Sequence, residues 1–275
     1  MADVLVTTAW LAEHIGDDVV VVAEVDENPD LYEEGHIPGA FKLHWRDDLQ
    51  DALERDIVEQ AAFEELMASR GIGSDTTVVL YGDKNNWFAA YAYWYLKVYG
   101  HEDVRILDGG RQKWIDEARE LTTDVPSSRS ASYAAKPADE SIRARRDAVL
   151  AGLGAPARAL VDVRSPQEYS GELMAPPGYE QEGASRSGHI PTAQSIPWAQ
   201  AVRDDGTFKS TDELRELYAG KGVTPDKEVI AYCRIGERSA HTWFVLRELL
   251  GYPDVKNYDG SWTEWGNLVD VPIER

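Results

Sequence analysis

The chain has 275 residues, 43% of them hydrophobic, and this length and composition are typical of two globular domains. Its formal net charge of −21 argues against nucleic acid or an anionic membrane as the main partner. No apolar run approaches the length of a membrane span, no secretory signal pattern is present, and the single cysteine excludes an internal disulfide, so we expect a cytoplasmic location.

In chain order, the first half alternates short apolar runs with helical patterns. These predict strands at 19–25, 78–81 and 104–107, and helices at 63–69, 87–98 and 111–118. Short apolar strands between helices indicate a mainly parallel sheet that is covered by helices on both faces. The predicted fold class is therefore α/β.

The middle of the chain differs in composition from both flanks. Residues 122–140 are rich in Ser, Ala and Pro and show no clear periodicity, which is typical of a connecting segment. We therefore predict a first domain at residues 1–125, a linker at 126–150 and a second domain at 151–275.

The second half repeats the first. A Gly-His-Ile-Pro turn occurs at residues 35–38 and again at 188–191, and further matched positions then follow at a constant offset. These pairs are Gly82 with Cys233, Gly100 with Gly251, Asp103 with Asp254, Asp108 with Asp259, and Trp114 with Trp265. The pattern predicts a duplicated domain, and because the histidines of both turns recur, we expect them to be structural.

One long segment distinguishes the second half. Residues 170–187 are inserted before its Gly-His-Ile-Pro turn. Long irregular segments in compact domains are often binding loops, although many only decorate the surface. This one contains Arg186, which is a candidate contact for an anion and equally a candidate solvated side chain.

The only cysteine, Cys233, lies where an apolar strand ends and a helical pattern begins. Ligands of open α/β sheets bind at that end of the strands, and a helix N-terminus favours an anion such as a thiolate. Arg234 and Arg238 add two cations, so the pattern predicts a reactive thiol with a lowered pKa. The matched residue of the first half is Gly82, which has no nucleophile, so we expect that half to be inactive.

Other cysteine chemistries fit less well. A metal site has neither a second cysteine nor a histidine cluster to form it, and nothing indicates a cofactor. A protease-like pair needs a base, but His241 is expected to point away from the start of its helix. Cysteine phosphatases have five residues between the cysteine and the phosphate-binding arginine, whereas four separate Cys233 from Arg238. The smaller loop suits one added sulfur on the cysteine better than it suits a tetrahedral phosphate. Phosphatase activity remains a distant alternative.

These residues carry a family resemblance. The segments that carry it run from Tyr32 to Ala40, from Cys233 to Arg238 (Cys-Arg-Ile-Gly-Glu-Arg), and from Tyr258 to Trp265. With them the chain resembles the tandem-domain rhodaneses, most closely the actinobacterial-type thiosulfate sulfurtransferases. The resemblance implies two rhodanese-like domains, the first inactive and the second active. It also implies a ping-pong reaction in which Cys233 takes the outer sulfur of thiosulfate, releases sulfite and passes the sulfur to cyanide or a thiol.

The residues and the resemblance together give a set of candidate substrate-binding residues. Arg238 is the candidate substrate grip, and the other candidates are Arg234, Arg164, Arg186, Ile235, Gly236, Glu237 and Ser239. Vertebrate-type members have a lysine where this chain has Ile235, and a second arginine where it has Glu168. Arg238 is the expected replacement for the missing cations.

Two alternatives to the thiosulfate reaction stay open. The first is transfer of sulfur from 3-mercaptopyruvate, but the branch that uses this donor usually has glycine directly after the cysteine, whereas Arg234 and Arg238 suit the two charges of thiosulfate. The second is a persulfide carrier that hands its sulfur to a protein partner.

Overall fold

A computed structural model describes residues 4–127, 131–179 and 183–275. The chain forms two compact units. Unit 1 comprises Met1–Asp139 with Val202–Phe208, and unit 2 comprises Glu140–Ala201 with Lys209–Arg275. In the three described ranges, no helix combines the length and the apolarity that crossing a bilayer requires.

Unit 1 is built on a five-stranded parallel sheet with the order β1-β5-β4-β2-β3. Its strands are β1 (Leu5–Val6), β2 (Val20–Glu24), β3 (Phe41–Lys42), β4 (Thr77–Tyr81) and β5 (Val104–Leu107). Its helices are α1 (Thr8–His14), α2 (Leu31–Glu34), α3 (Gln60–Ser69), α4 (Trp87–Val98) and α5 (Gly110–Asp116). Strand β4 lies at the centre and is buried from Val78 onward, which explains its continuous apolar sequence.

Unit 2 is built on a four-stranded parallel sheet with the order β7-β6-β8-β9. Its strands are β6 (Arg158–Asp162), β7 (Gln194–Ser195), β8 (Glu228–Tyr232) and β9 (Val255–Tyr258). Its helices are α6 (Arg146–Ala151), α7 (Pro166–Ser170), α8 (Thr211–Ala219), α9 (Glu237–Phe244) and α10 (Ser261–Trp265), and a π-helical turn at Val245–Leu249 continues α9. The predicted α/β class with two parallel sheets is confirmed.

The two halves share internal contacts as well as topology. The amide of Ile37 donates to the hydroxyl of Tyr81 at 2.9 Å, and the amide of Ile190 donates to that of Tyr232 at 3.0 Å. The two histidines of the matched turns stack on tyrosine rings at 3.8 and 3.6 Å and bond carbonyl oxygens through Nδ1. These contacts tie each turn to its central strand, and they fit the structural role expected for both histidines.

The unit boundaries differ in two respects from the predicted division of the chain. Helix α6 lies in the region predicted as linker, yet it belongs to unit 2. Val202–Phe208 comes from the second half of the sequence but belongs to unit 1. There the amide of Phe208 donates to Asp108 at 2.9 Å and Lys113 pairs with Asp205 at 3.0 Å. These polar contacts give no periodic signal in the sequence.

Candidate active site

Cys233 directly follows the central strand β8, at the carboxyl end of the unit 2 sheet. Its side chain is fully buried, and α9 begins four residues later at Glu237. Gly236 connects the loop to the helix with a φ of 101°, which favours glycine. A Cβ at this position would lie 2.7 Å from the Cα of Asp259. The loop therefore needs a glycine for its backbone conformation and for its close approach to the neighbouring chain.

The loop is held by β9 and by residues that follow it. The amide of Cys233 donates to the hydroxyl of Ser261 at 3.0 Å, and its carbonyl accepts from the amide of Trp262 at 3.0 Å. The side-chain amide of Asn257 donates to the carbonyl of Gly236, also at 3.0 Å. Both ends of the loop are thus fixed, so that the sulfur is positioned without a substrate.

Three polar groups surround the sulfur. The amide of Gly236 donates to Sγ at 3.1 Å, and the hydroxyl of Ser239 lies 3.6 Å from it. The thiol itself donates to Oε2 of Glu237 at 3.2 Å, and the amide of Ile235 donates to the same oxygen at 3.3 Å. The sulfur therefore has a backbone donor on one side and a carboxylate acceptor on another.

The thiol differs in one property from the prediction. Complete burial, followed by the Glu237 carboxylate, raises the pKa of Cys233 above its ordinary value, and the opposing effect of Arg238 is smaller. The predicted lowered pKa is therefore wrong for the substrate-free protein. The sequence shows the cations and the helix start, but it does not show that desolvation of the thiol outweighs them.

Arg238 forms a buried ion pair. Its two terminal nitrogens donate to the two carboxylate oxygens of Glu168 at 3.1 and 3.2 Å. Glu168 also completes the capping box of α7 with Ser165. Although burial acts to raise the pKa of Glu168, the Arg238 guanidinium and the hydrogen bonds hold it below its ordinary value. The residue that replaces the second arginine of vertebrate-type members is thus the partner of Arg238, a pairing that the sequence does not indicate.

The second cation of the loop, Arg234, lies near the same group of charges. Its Nη2 is 3.7 Å from Oε1 of Glu237, and Nε of Arg238 is 3.6 Å from the same oxygen. The Arg234 guanidinium also lies over the ring of Tyr179, 4.6 Å from its centroid. Two guanidinium groups thus meet the carboxylates of Glu237 and Glu168, so that the positive charge expected around the cysteine is largely balanced.

The remaining two arginines have structural partners. Arg164 bonds both carboxylate oxygens of Asp162 and the carbonyl of Gly188, and it lies over the ring of Trp262. Arg186 donates to main-chain carbonyls between residues 265 and 271. Both guanidinium groups therefore hold segments of unit 2 together. Residues 180–182 of the predicted insertion lie outside the described residues.

His241 does not provide a base. Its ring is completely buried in α9, 5.1 Å from the ring of Trp198, and burial lowers the pKa of His241 to about 3. In the part of the chain that the structure describes, no group of three or more His, Cys, Asp or Glu side chains is arranged to hold a metal ion. The chemistry of the site therefore depends on the sulfur, the loop amides and the charged residues around them.

Comparison with known proteins identifies this arrangement. The family model of the rhodanese-like domain matches residues 7–117 and again residues 146–268. The chain belongs to the rhodanese family. The resemblance to tandem-domain rhodaneses is thereby confirmed, and the chain is a rhodanese-type sulfurtransferase.

Relatives match this rhodanese over nearly its full length. The sulfur carrier protein TtuD of Thermus thermophilus is 59% identical over 99% of this chain and 97% of its own. Provisionally named thiosulfate sulfurtransferases of Saccharopolyspora erythraea and Haloferax volcanii are 57% and 53% identical. Each of these two alignments covers 99% of this chain and 96% of the relative. The handling of sulfur is thus common to these names, and none of them states a sulfur acceptor.

Solved structures agree with the family assignment. A structure of EanB in complex with ergothioneine superposes with a TM-score of 0.86 at 28% identity, covering 98% of this rhodanese and 70% of the EanB chain. Another EanB structure carries a persulfide on a cysteine, with a TM-score of 0.86, 26% identity and the same coverage. The tandem fold therefore occurs in a solved protein that holds sulfur as a cysteine persulfide.

The equivalent position in the first rhodanese-like domain is closed. A Cβ on Gly82 would lie 2.0 Å from the carbonyl oxygen of Val25 and 3.4 Å from Oδ1 of Asp26. Asp26 accepts the amide of Asp83 at 2.7 Å, and the buried Glu24 next to it pairs with Arg111. The space around a catalytic cysteine is thus occupied by main chain and by a pair of carboxylates.

Asp26 predicts a measurable effect of pH on stability. Burial and the hydrogen bond with Glu24 raise the pKa of Asp26 to about 9. Because the folded pKa exceeds the unfolded one, the stability that the protonated carboxyl contributes is complete below about pH 4 and is lost as pH rises through 9. The unfolding free energy of the wild type should fall between pH 6 and pH 9, and we expect this fall to be smaller in Asp26→Asn by at least about 1 kcal/mol. Urea unfolding of both proteins at both pH values measures the fall.

The exposed Asp17 provides the control for this measurement. Asp17→Asn removes a carboxylate from the same unit without removing a buried one, so its pH dependence should follow that of the wild type. Equal pH dependence in the wild type and Asp26→Asn would contradict the prediction.

Proposed function

We propose that this rhodanese moves the outer sulfur of thiosulfate to cyanide or to a thiol acceptor through a persulfide on Cys233. The observation that carries the proposal is the hydrogen bond of 3.1 Å from the Gly236 amide to Sγ, at the start of α9. A main-chain donor at a helix N-terminus stabilises a negatively charged sulfur, both as thiolate and as persulfide. The names of the Saccharopolyspora and Haloferax relatives support thiosulfate as the donor.

In the first half-reaction, Sγ of Cys233 attacks the outer sulfur of thiosulfate. A bond forms between these two sulfur atoms while the bond to the sulfonate sulfur breaks, and its electron pair leaves with sulfite. The two negative charges of thiosulfate suit two guanidinium groups, and Arg234 and Arg238 are the cations of the loop. Because Glu168 binds Arg238 in the free protein, the sulfonate has to share that guanidinium with it.

In the second half-reaction, the acceptor attacks the terminal sulfur of the persulfide. Cyanide forms a carbon–sulfur bond and leaves as thiocyanate, while the electron pair of the broken sulfur–sulfur bond returns to Sγ. The amide of Gly236 then again donates to the sulfur of Cys233, as in the free protein. A thiolate acceptor follows the same course and becomes a persulfide itself.

The donor is tested by comparing thiosulfate with 3-mercaptopyruvate. The double variant Glu168→Gln, Arg238→Met removes the guanidinium together with its buried partner and leaves no uncompensated charge. We expect the wild type to prefer thiosulfate, and the double variant to lose about 100-fold in kcat/KM for it, since hydrogen bonds between charged groups contribute about 1.5–3 kcal/mol. For mercaptopyruvate, which carries one carboxylate, the kcat/KM of the double variant should fall less. Steady-state kinetics with both donors measures the difference.

Glu168→Gln alone is the control for the donor test, because it keeps Arg238 and one of the two oxygen atoms of residue 168 that accept from it. It should retain most of the thiosulfate activity. A wild type with the higher kcat/KM for mercaptopyruvate would reject thiosulfate as the preferred donor.

A persulfide carrier that serves a protein partner is the second candidate. The name of the Thermus thermophilus relative, a sulfur carrier protein, favours it. The discriminating measurement loads Cys233 with sulfur, removes the donor and follows the loss of the added mass after addition of cyanide. Rapid loss supports an enzyme with small acceptors, whereas a persulfide that resists cyanide and small thiols supports a carrier.

A further inference from the structure

Glu237 is the charged side chain in closest contact with the reactive sulfur. Its Oε2 accepts the thiol of Cys233 at 3.2 Å, and the carboxylate is completely buried. A buried carboxylate beside the nucleophile repels an incoming dianion, so binding of thiosulfate cannot be its purpose. The contact of Glu237 with the sulfur therefore disagrees with its prediction as a substrate-binding residue and suits a different role.

We propose that Glu237 is a catalytic residue that takes the thiol proton from Cys233 during sulfur uptake and returns it during sulfur release. This inference rests on the proposed function and assigns the proton that the reaction has to move. A proton acceptor must lie within hydrogen-bond distance of the proton it removes, and Oε2 meets this condition. The resting structure thus already contains the donor and acceptor of the transfer.

Charged groups of both signs surround Glu237. Oε1 lies 3.6 Å from Nε of Arg238 and 3.7 Å from Nη2 of Arg234, and Oε2 accepts the amide of Ile235. From other elements, Glu168 of α7 faces Arg238. Past β9, Asp259 lies against Gly236 and pairs with Arg143. The carboxyl thus lies among both positive and negative groups.

The step balances without any further reactant. The thiol proton moves to Oε2 as Sγ bonds to the outer sulfur of thiosulfate, and sulfite leaves with the electron pair of the broken sulfur–sulfur bond. The products are a persulfide anion and a neutral Glu237, so the total charge is unchanged. When an acceptor removes the outer sulfur, the electron pair returns to Sγ and the proton moves back from Glu237.

This role also explains how a buried thiol with a raised pKa reacts. The free thiol loses its proton to solvent only at high pH, because burial disfavours the thiolate. A carboxylate in contact with the thiol receives the proton inside the site instead. Uptake of sulfur then proceeds at neutral pH, where little free thiolate is present.

The experiment compares two pH profiles of the whole protein and of Glu237→Gln. The first is the rate of single-turnover sulfur uptake from thiosulfate, followed by mass spectrometry. The second is the ultraviolet absorbance of the thiolate, with Cys233→Ser as the blank. For the wild type we expect uptake to continue at pH values where thiolate absorbance is low. For Glu237→Gln we expect uptake to follow the thiolate titration and to be about 100-fold slower at neutral pH.

The alternative role of Glu237, a purely electrostatic one, predicts the opposite change. Removing a negative charge beside Cys233 lowers the pKa of the thiol, so the glutamine variant would contain more thiolate and react faster at neutral pH. A faster variant, or wild-type uptake that rises in step with the thiolate absorbance, would overturn the proposal. Glu216→Gln, an exposed substitution on α8, is the matched control and should leave both profiles unchanged.

Failure of the donor assignment gives a separate result. If thiosulfate delivers no sulfur to the wild type, the proposed function fails, and the same profiles are recorded with 3-mercaptopyruvate. The ratio of Glu237→Gln to wild-type rates at each pH then decides the role of Glu237, whichever donor is used.

Discussion

Cys233→Ser protein will take up no sulfur from thiosulfate, and its transfer rate to cyanide will fall by at least about 1000-fold. Cys233 is the only cysteine of the chain, so no other thiol can carry the persulfide. A serine hydroxyl still reaches the Gly236 amide but is a much weaker nucleophile toward sulfur at neutral pH. Mass spectrometry of the intact protein measures uptake: the wild type should gain one sulfur and lose it on addition of cyanide.

The fold of Cys233→Ser should be intact, because serine is smaller and keeps the polar contacts of the loop. Circular dichroism and urea unfolding provide this control. Active wild-type protein whose mass never changes during turnover would contradict the persulfide mechanism. A serine variant that gains sulfur would show that another group of the chain carries it.

Glu168→Ala will destabilise the protein by about 3–5 kcal/mol, because it leaves the Arg238 guanidinium buried without its bidentate partner. Arg238 is 5% exposed, so water cannot replace the lost carboxylate. Since the pKa of Glu168 is below its ordinary value, the stabilisation is complete above about pH 4.3 and is lost as pH falls through the folded pKa. Urea unfolding of the whole protein at neutral pH and at pH values below about 4.3 measures both effects.

The chain contains a matched control for this substitution. Glu213 completes the capping box of α8 with Ser210, in the same way as Glu168 completes that of α7, but it is exposed. Glu213→Ala should therefore cost only about 1 kcal/mol, the usual value of a cap. Equal destabilisation by the two substitutions would show that the contribution of Glu168 comes from the cap and that the ion pair adds nothing.

The fold was largely predictable because its strands are buried on both faces. The apolar runs at 78–81 and 104–107 correspond to Thr77–Tyr81 and Val104–Leu107, and the helix at 87–98 corresponds to Trp87–Val98. Such runs are continuous in parallel sheets, so their bounds are visible in the sequence. The assignment of Val202–Phe208 to unit 1 was not predictable, since a few polar contacts between distant residues produce no local pattern.

The site was predictable in position but not in its charge balance. The strand-to-helix junction indicates that Cys233 lies at the carboxyl end of a strand and before a helix, whereas the contact with the Gly236 amide comes from the structure. The pairing of Arg238 with Glu168 joins residues that are distant in sequence, and neither residue indicates the other. The contact of Glu237 with Cys233 gave no signal either, because the conformation of the loop before α9, and not a helical spacing, brings the two side chains together. The raised pKa of the thiol follows from its burial, which only the structure provides.

Gly82 makes the divergence of the two halves difficult to reverse. Because a Cβ there would lie 2.0 Å from the carbonyl oxygen of Val25, no single codon change can restore a nucleophile to the first domain without moving its backbone. A cysteine at this position would have to displace the chain at Val25, so we expect Gly82→Cys alone not to form a second reactive loop. On this expectation, sulfur uptake by such a variant would still depend on Cys233.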